Sequence, residues 1–329
     1  MALFPWIQNV WQVYAMIFLI NMATAFFTPV YDSAIPEVAG REHYVKALSL
    51  LRVLADVESV ASPALAGVLV VLFGLQWLFW FDAATYLLSA LLVAASRLPR
   101  RAVEPLRFSF LVLFQELTFG TRLLLREASL RRVLLLNMTD AIAGAAAIVT
   151  TIVFVQDVLA LGETEFVMVL VGLGLGSTLT ALLLGKVTGR YEARANNPSA
   201  LHGLRQRWAE HALLFGGMML GFLLLPGIYQ PFLWIFAGLW FLNGSGQAFI
   251  EISSAMLLAE HTQETQRGRA YAAFFALTHV FWLITYPAIG HGVSQWGAPL
   301  TFTVAGGVCL LIALVALILR KPVADQVLA

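Results

Sequence analysis

Nine stretches of this chain, near residues 11–34, 47–72, 76–96, 133–156, 165–187, 211–227, 231–258, 270–290 and 298–319, are each apolar over roughly 20 residues. Coiled as α-helix, a run of that length spans the hydrocarbon core of a bilayer. In lipid an open segment must satisfy its own backbone polar groups, and a helix does so. The chain therefore reads as an all-α polytopic membrane protein with nine transmembrane helices. Composition agrees: 60% of residues are hydrophobic and 12% charged, outside the usage of soluble globular domains. The single cysteine, Cys309, lies in an apolar run and can form no intrachain disulfide. No Cys/His cluster has metal-ligand spacing, and no cofactor motif is legible. Met1 to Trp6 carries no basic segment and no cleavage-site pattern, so it does not read as a signal peptide.

The basic residues orient these helices. If the spans alternate in direction, the connections on one side hold 19 of the 20 Lys and Arg, and those on the other hold none. The exception, Arg52, lies inside the second span. Cytoplasmic loops carry the excess of Lys and Arg, which places the amino terminus outside and the carboxyl terminus in the cytoplasm of a cell-membrane protein. The same loops are short and scattered, which argues against a nucleic-acid-binding face.

The longest connection mixes Arg100, Arg101, Arg107, Arg122 and Arg126 with Phe108, Leu111, Phe114 and Leu117, the pattern of a helix lying along a membrane surface. It divides the chain into a three-helix bundle (1–96), a cytoplasmic amphipathic linker (97–132) and a six-helix bundle (133–329). The first three and last three spans share a cadence. Ser33-Ala34-Ile35 closes the first span as Ser254-Ala255-Met256 closes the seventh, and the next-but-one span begins 43 and 44 residues later. Internal repeats of this kind are a mark of transporters. In this register the middle three helices lack counterparts, which predicts three further helices before Met1.

Three stretches resemble the major facilitator superfamily, and within it bacterial exporters typified by the enterobactin exporter and macrolide efflux proteins. Ala25 to Pro29, continuing through Ser33 to Glu37 and Arg41-Glu42 to Lys46-Ala47-Leu48, is similar to the family's fourth helix and its following loop. Phe79 to Ala90, with Asp82, Tyr86 and Ser89, is similar to the sixth helix. Glu116 to Gly120, with Leu123 to Leu125 and Leu130-Arg131-Arg132, is similar to the central surface helix entering the seventh span. The resemblance implies helices four to twelve of a twelve-helix fold. It also implies that the first, fourth and seventh spans seen here line a central cavity. Departures are visible. Gly185-Lys-Val-Thr-Gly189-Arg190 keeps the Gly and Arg of a signature loop but lacks its acidic residue, and Ser62-Pro63 with Gly67 only partly matches an antiporter motif.

An ionisable side chain inside a span is costly, about 2.5 to 3.5 kcal/mol at the helix centre, so each needs a reason. Arg52 and Asp56 stand one helical turn apart and can pair, whereas Glu58 points elsewhere. Asp140 and Glu251 each lie about eight residues from the basic end of their span, roughly 12 Å deep. Two carboxyl groups at equal depth in a partly dry cavity can exchange protons; alternatively, waters, Asn137 and Asn243 satisfy them. Asp32 stands near a helix end. Asp82, Pro63, Gly185 and Arg190 read as structural positions. Trp234, Trp240, Phe274 and Trp282 suit either an amphipathic ligand or lipid and helix contacts. Gly172, Gly174 and Gly176 fail the dinucleotide spacing and read as helix-packing glycines.

The expected function is secondary active transport by alternating access: proton-linked export of small amphipathic molecules of drug or siderophore type. The partners are the small-molecule substrate, protons and the bilayer. The chain does not read as an enzyme. A rival reading is a non-transporting membrane scaffold. A remote one is an intramembrane serine protease using Ser245 of Gly244-Ser245-Gly246 with His279 as base.

Overall fold

Apolar runs rich in Leu, Ala and Phe coil as helices, and in this computed structural model, which describes residues 3–40, 43–96, 110–194 and 198–319, every regular element is helical. They are α1 (Val10–Ala39), α2 (Tyr44–Phe73), α3 (Leu75–Ala95), α4 (Phe110–Arg126), α5 (Ala128–Val153), α6 (Glu163–Arg194), α7 (Pro198–Leu224), α8 (Leu233–Glu260) and α9 (Glu264–Ile318). A π-helical turn, Phe154–Val158, continues α5. Asn9 caps α1 in a capping box with Gln12, whose side chain accepts from the Asn9 N–H at 3.1 Å.

Seven of the described helices are long and apolar enough to cross a membrane: α1, α3, α5 with its π turn, α6, α7, α8 and α9. α2 matches α1 in length, 30 residues, but carries Arg52, Asp56 and Glu58 within its apolar run. α9 is 55 residues long and bends at Gly297 (φ 76°, ψ 165°) into arms 264–296 and 298–318. The loop expected over 291–297 is thus reduced to one residue. Gly74, between α2 and α3, has nearly the same conformation (φ 86°, ψ 161°). Both lie in a region of backbone space open essentially to glycine alone, and they stand at corresponding places in the sequence repeat.

Several helix ends depart from the expected spans. α5 begins at Ala128 rather than near 133, so the last residues assigned to the linker belong to it, and α7 begins at Pro198 rather than near 211. Hydropathy marks only the lipid-facing length; polar turns that extend a helix into water are invisible to it. Arg41, Glu42, residues 97–109 and the tail with Arg320 and Lys321 lie outside the described residues.

The core sits among α5 to α9. Phe154, Phe236, Trp240 and Phe302 form an aromatic cluster there, with Phe154 and Phe236 stacked at 4.4 Å and Trp240 edge-on to Phe302 at 5.1 Å. Trp240 is therefore an interior packing residue, whereas Trp234 is exposed. The apolar window of α5 is 72% buried within the protein, against 6% for α1 and 0% for α3. α2 joins the larger group by packing on α6, where Gly185 lies against Ser49. α4 packs on α9: Leu124 is fully buried beside Leu130, Leu258 and Tyr271, and the Arg269 guanidinium sits 4.2 Å over the Phe119 ring.

Candidate functional site

Side chains three and four apart on a helix share one face. On α2 this aligns Tyr44, Leu48, Arg52 and Ala55, and on α8 Glu251, Ala255 and Leu258. These two faces, with Asp32 on α1, Asn137 on α5 and Phe274 on α9, enclose a cavity of about 310 Å³. The expected lining from α1, α5 and α8 is all present, and α2 and α9 complete it.

Arg52 is the electrostatic centre. Its Nη1 donates to Glu251 of α8, and its Nε donates to Ser177 Oγ of α6 at 2.6 Å while lying 3.2 Å from Asp56 Oδ1. Thr178 Oγ1 donates to Asp56 Oδ2 at 3.0 Å. The local Arg52–Asp56 pair is therefore one edge of a network joining three helices. Asp140, only 6% exposed, interacts electrostatically with both Glu251 and Arg52, yet its Oδ1 has no hydrogen-bond partner. Of the two amides expected to serve it, Asn137 is engaged elsewhere and Asn243 does not reach it. Asn137 Nδ2 donates to Ser254 Oγ at 2.7 Å and to the Val133 carbonyl at 2.8 Å. Asn243 Oδ1 accepts from Gln247 at 3.0 Å, and its Nδ2 has no hydrogen-bond partner among the described residues. One buried cation thus serves several carboxylates, an arrangement whose desolvation cost only close, well-bonded geometry offsets.

At the end that carries Glu37 and Arg267, two tyrosines close the cavity. Tyr44 Oη donates to the Ala255 carbonyl at 3.1 Å and accepts from Tyr271 Oη at 3.1 Å. Beyond Tyr44, which lines both spaces, lies a polar pocket of about 390 Å³ that includes Glu37, Arg205, Glu260 and Arg267. Arg267 is 3.6 Å from Glu37 there, and Arg205 3.8 Å from Glu260.

The structure thus brings Asp32, Arg52, Asp56, Asp140 and Glu251 into one region. Glu58 stands apart, exposed on α2 with no hydrogen-bond or ion-pair partner among the described residues. Asp82 is part-exposed on α3, where its main-chain carbonyl accepts from Thr85 Oγ1 at 2.7 Å. The side chains of Pro63 and Arg190 lie outside the described residues. The protease constellation does not form. Ser245 Oγ donates to the carbonyls of Gly176 and Phe241, both at 3.1 Å, while His279 is exposed on α9 and bonds to the Phe275 carbonyl. Sequence reasoning missed Tyr44, Tyr271, Ser177, Thr178 and Ser254. A tyrosine at the start of an apolar span is the only signal that could have singled out the first two.

Comparison with known proteins agrees with this architecture. The sequence matches the Major Facilitator Superfamily over residues 1–204 and over 203–328. It is 23% identical over 338 residues to the uncharacterized MFS-type transporter YfiS of Bacillus subtilis (strain 168), a match that covers 96% of this chain and 73% of that protein. The uncharacterized MFS-type transporter YkuC of the same organism is 26% identical over 97 residues, 30% of this chain and 23% of that protein. The chain therefore belongs to the Major Facilitator Superfamily: it is a multi-pass membrane transporter and not an enzyme.

Proposed function

We propose that this transporter is a proton-linked exporter of small amphipathic molecules, of the type that includes enterobactin and macrolide exporters, and that it works by alternating access. In this reading nine helices span a cell membrane: α1 to α3, α5 to α8 and the two arms of α9. The amino terminus is outside and the carboxyl terminus cytoplasmic, as the basic loops favour. The tyrosine pair then lies on the cytoplasmic side of the cavity.

The observation that carries the reading is the Arg52–Glu251 ion pair, which joins α2 of the three-helix group to α8 of the six-helix group across the cavity. When Glu251 takes up a proton, Arg52 loses its charge partner on α8 and the bridge between groups slackens; when the proton leaves, the bridge reforms. Asp140, which interacts electrostatically with Glu251 and with the same guanidinium, offers a second acceptor. Proton binding and contact between the two groups are then linked reciprocally, as coupled transport requires. Flux of an amphipathic probe from proteoliposomes, with and without a pH gradient, tests this. Gradient-driven flux is expected in the wild type and its loss in Glu251→Gln and Asp140→Asn; flux indifferent to the gradient would remove proton coupling.

One observation favours the scaffold reading: α1 and α3 are almost uncovered by the rest of the protein, as helix faces awaiting a partner would be. A monodisperse protein with no flux for any probe would support it.

A further inference from the structure

The charges around the cavity are unbalanced in a way that selects a ligand. Arg52 is the sole cation among its described lining residues, and it is already engaged by Glu251, Asp56 and Ser177. Asp32, on the α1 part of the lining, has neither a hydrogen bond nor an ion pair among the described residues. Arg267 lines the neighbouring pocket beyond Tyr44, where it stands 3.6 Å from Glu37. Asp140, nine-tenths buried and with Oδ1 unpartnered, interacts electrostatically with the cavity's own Glu251 and Arg52. An entering anion would have to displace Glu251 or Asp56 from Arg52 and would leave Asp32 unanswered. An entering cation completes Asp32 and displaces nothing.

The walls fit the same class. Tyr31, Tyr44, Tyr271 and Phe274 supply aromatic surface to the cavity that Asp32 lines, and such surface attracts organic cations by the ring quadrupole. Leu48, Leu51 and Ile35 supply apolar surface. The volume, about 310 Å³, is at the small end of the range for drug-sized ligands, about 300–1,000 Å³.

We propose that the cavity binds a compact organic cation with a flat apolar body, that Asp32 is the carboxylate that recognises its charge, and that anions of equal size are rejected. This rests on the cavity being the transport site proposed above. The test uses the purified full chain in lipid nanodiscs, with binding of N-methyl-phenylpyridinium measured by quenching of tryptophan fluorescence and by calorimetry. Biphenylcarboxylate serves as the anion of matched shape. The cation is expected to bind at least about tenfold more tightly than the anion. Asp32→Asn should weaken the cation about tenfold and Asp32→Glu should largely restore it, with both variants eluting as the wild type does on size exclusion. Equal affinity for cation and anion, or cation binding unaffected by Asp32→Asn in a well-folded variant, overturns the proposal. Flux of the two probes in proteoliposomes separates this from the transport reading. Asp32-dependent cation binding without flux leaves the ligand class standing and removes the transport role, whereas flux of the anion alone does the reverse.

Discussion

Arg52 and Glu251, 199 residues apart in sequence, are ion-paired between α2 and α8. The same guanidinium lies against Asp56 one turn along its own helix, so two carboxylates share one cation. Truncating one member of a buried pair is costly because it strands the others, but the Glu251 side chain is 41% exposed, which screens some of the interaction. A double-mutant cycle of Arg52→Met and Glu251→Met, read by thermal unfolding in detergent, should give a coupling of about 1–2 kcal/mol, with each single variant less stable than its share of the double. Strict additivity would mean that the pair contributes nothing to the fold.

Asp140 should behave oppositely in stability and in flux. A buried polar atom without a partner costs about 1–3 kcal/mol, so Asp140→Leu, which keeps the branched outline without the polar atoms but is bulkier, is expected to raise stability by up to about that amount, less any cost of fitting the added volume. It should also reduce gradient-driven flux. A destabilised Asp140→Leu would mean that the carboxylate has a structural partner.

The spans, their charged interruptions and their spacing could be read directly because each is local. Length sets the span, and Arg52 and Asp56 pair because they stand four residues apart. The rest of the site depends on neighbours that no local pattern specifies. Glu251 and Ser177 reach Arg52 only because α6 and α8 pack beside α2. Tyr44 and Tyr271 meet only because α9 comes to lie next to the start of α2. The same limit explains Asn137: its position one turn from Asp140 suggested a bond between them, but α8 places Ser254 closer to its amide.

The tyrosine closure predicts a change in access. Tyr44→Phe removes both the bond to the Ala255 carbonyl and the bond from Tyr271, each worth about 1 kcal/mol net. A cysteine introduced by Ser254→Cys lines the cavity, and the natural Cys309 is fully buried and should remain silent. In inside-out vesicles, an impermeant maleimide should label Ser254→Cys about tenfold faster when Tyr44→Phe is also present. An unchanged rate would place the closure elsewhere.

The two glycine turns predict a cost that comes from backbone alone. A Cβ at Gly74 meets no atom within 4 Å, and at Gly297 only Pro299 Cδ at 3.8 Å, so neither site is crowded. Gly74→Ala and Gly297→Ala should each lower stability by about 1–3 kcal/mol through the strained conformation. Gly307→Ala, in open space on the second arm of α9, should be neutral or raise stability by up to about 1 kcal/mol. Equal responses at all three positions would show that backbone conformation is not the cause.

A turn one residue long also has no slack. The arms 264–296 and 298–318 meet at Gly297 without a loop between them, and α2 meets α3 at Gly74 in the same way. Each pair therefore turns at a single residue, and any change of angle between its arms is taken up at one glycine instead of being spread along a loop. Tyr271 stands 26 residues before Gly297, roughly 39 Å along the first arm, so a displacement just large enough to break the contact between its hydroxyl and that of Tyr44 reaches the glycine turn only as a small angle.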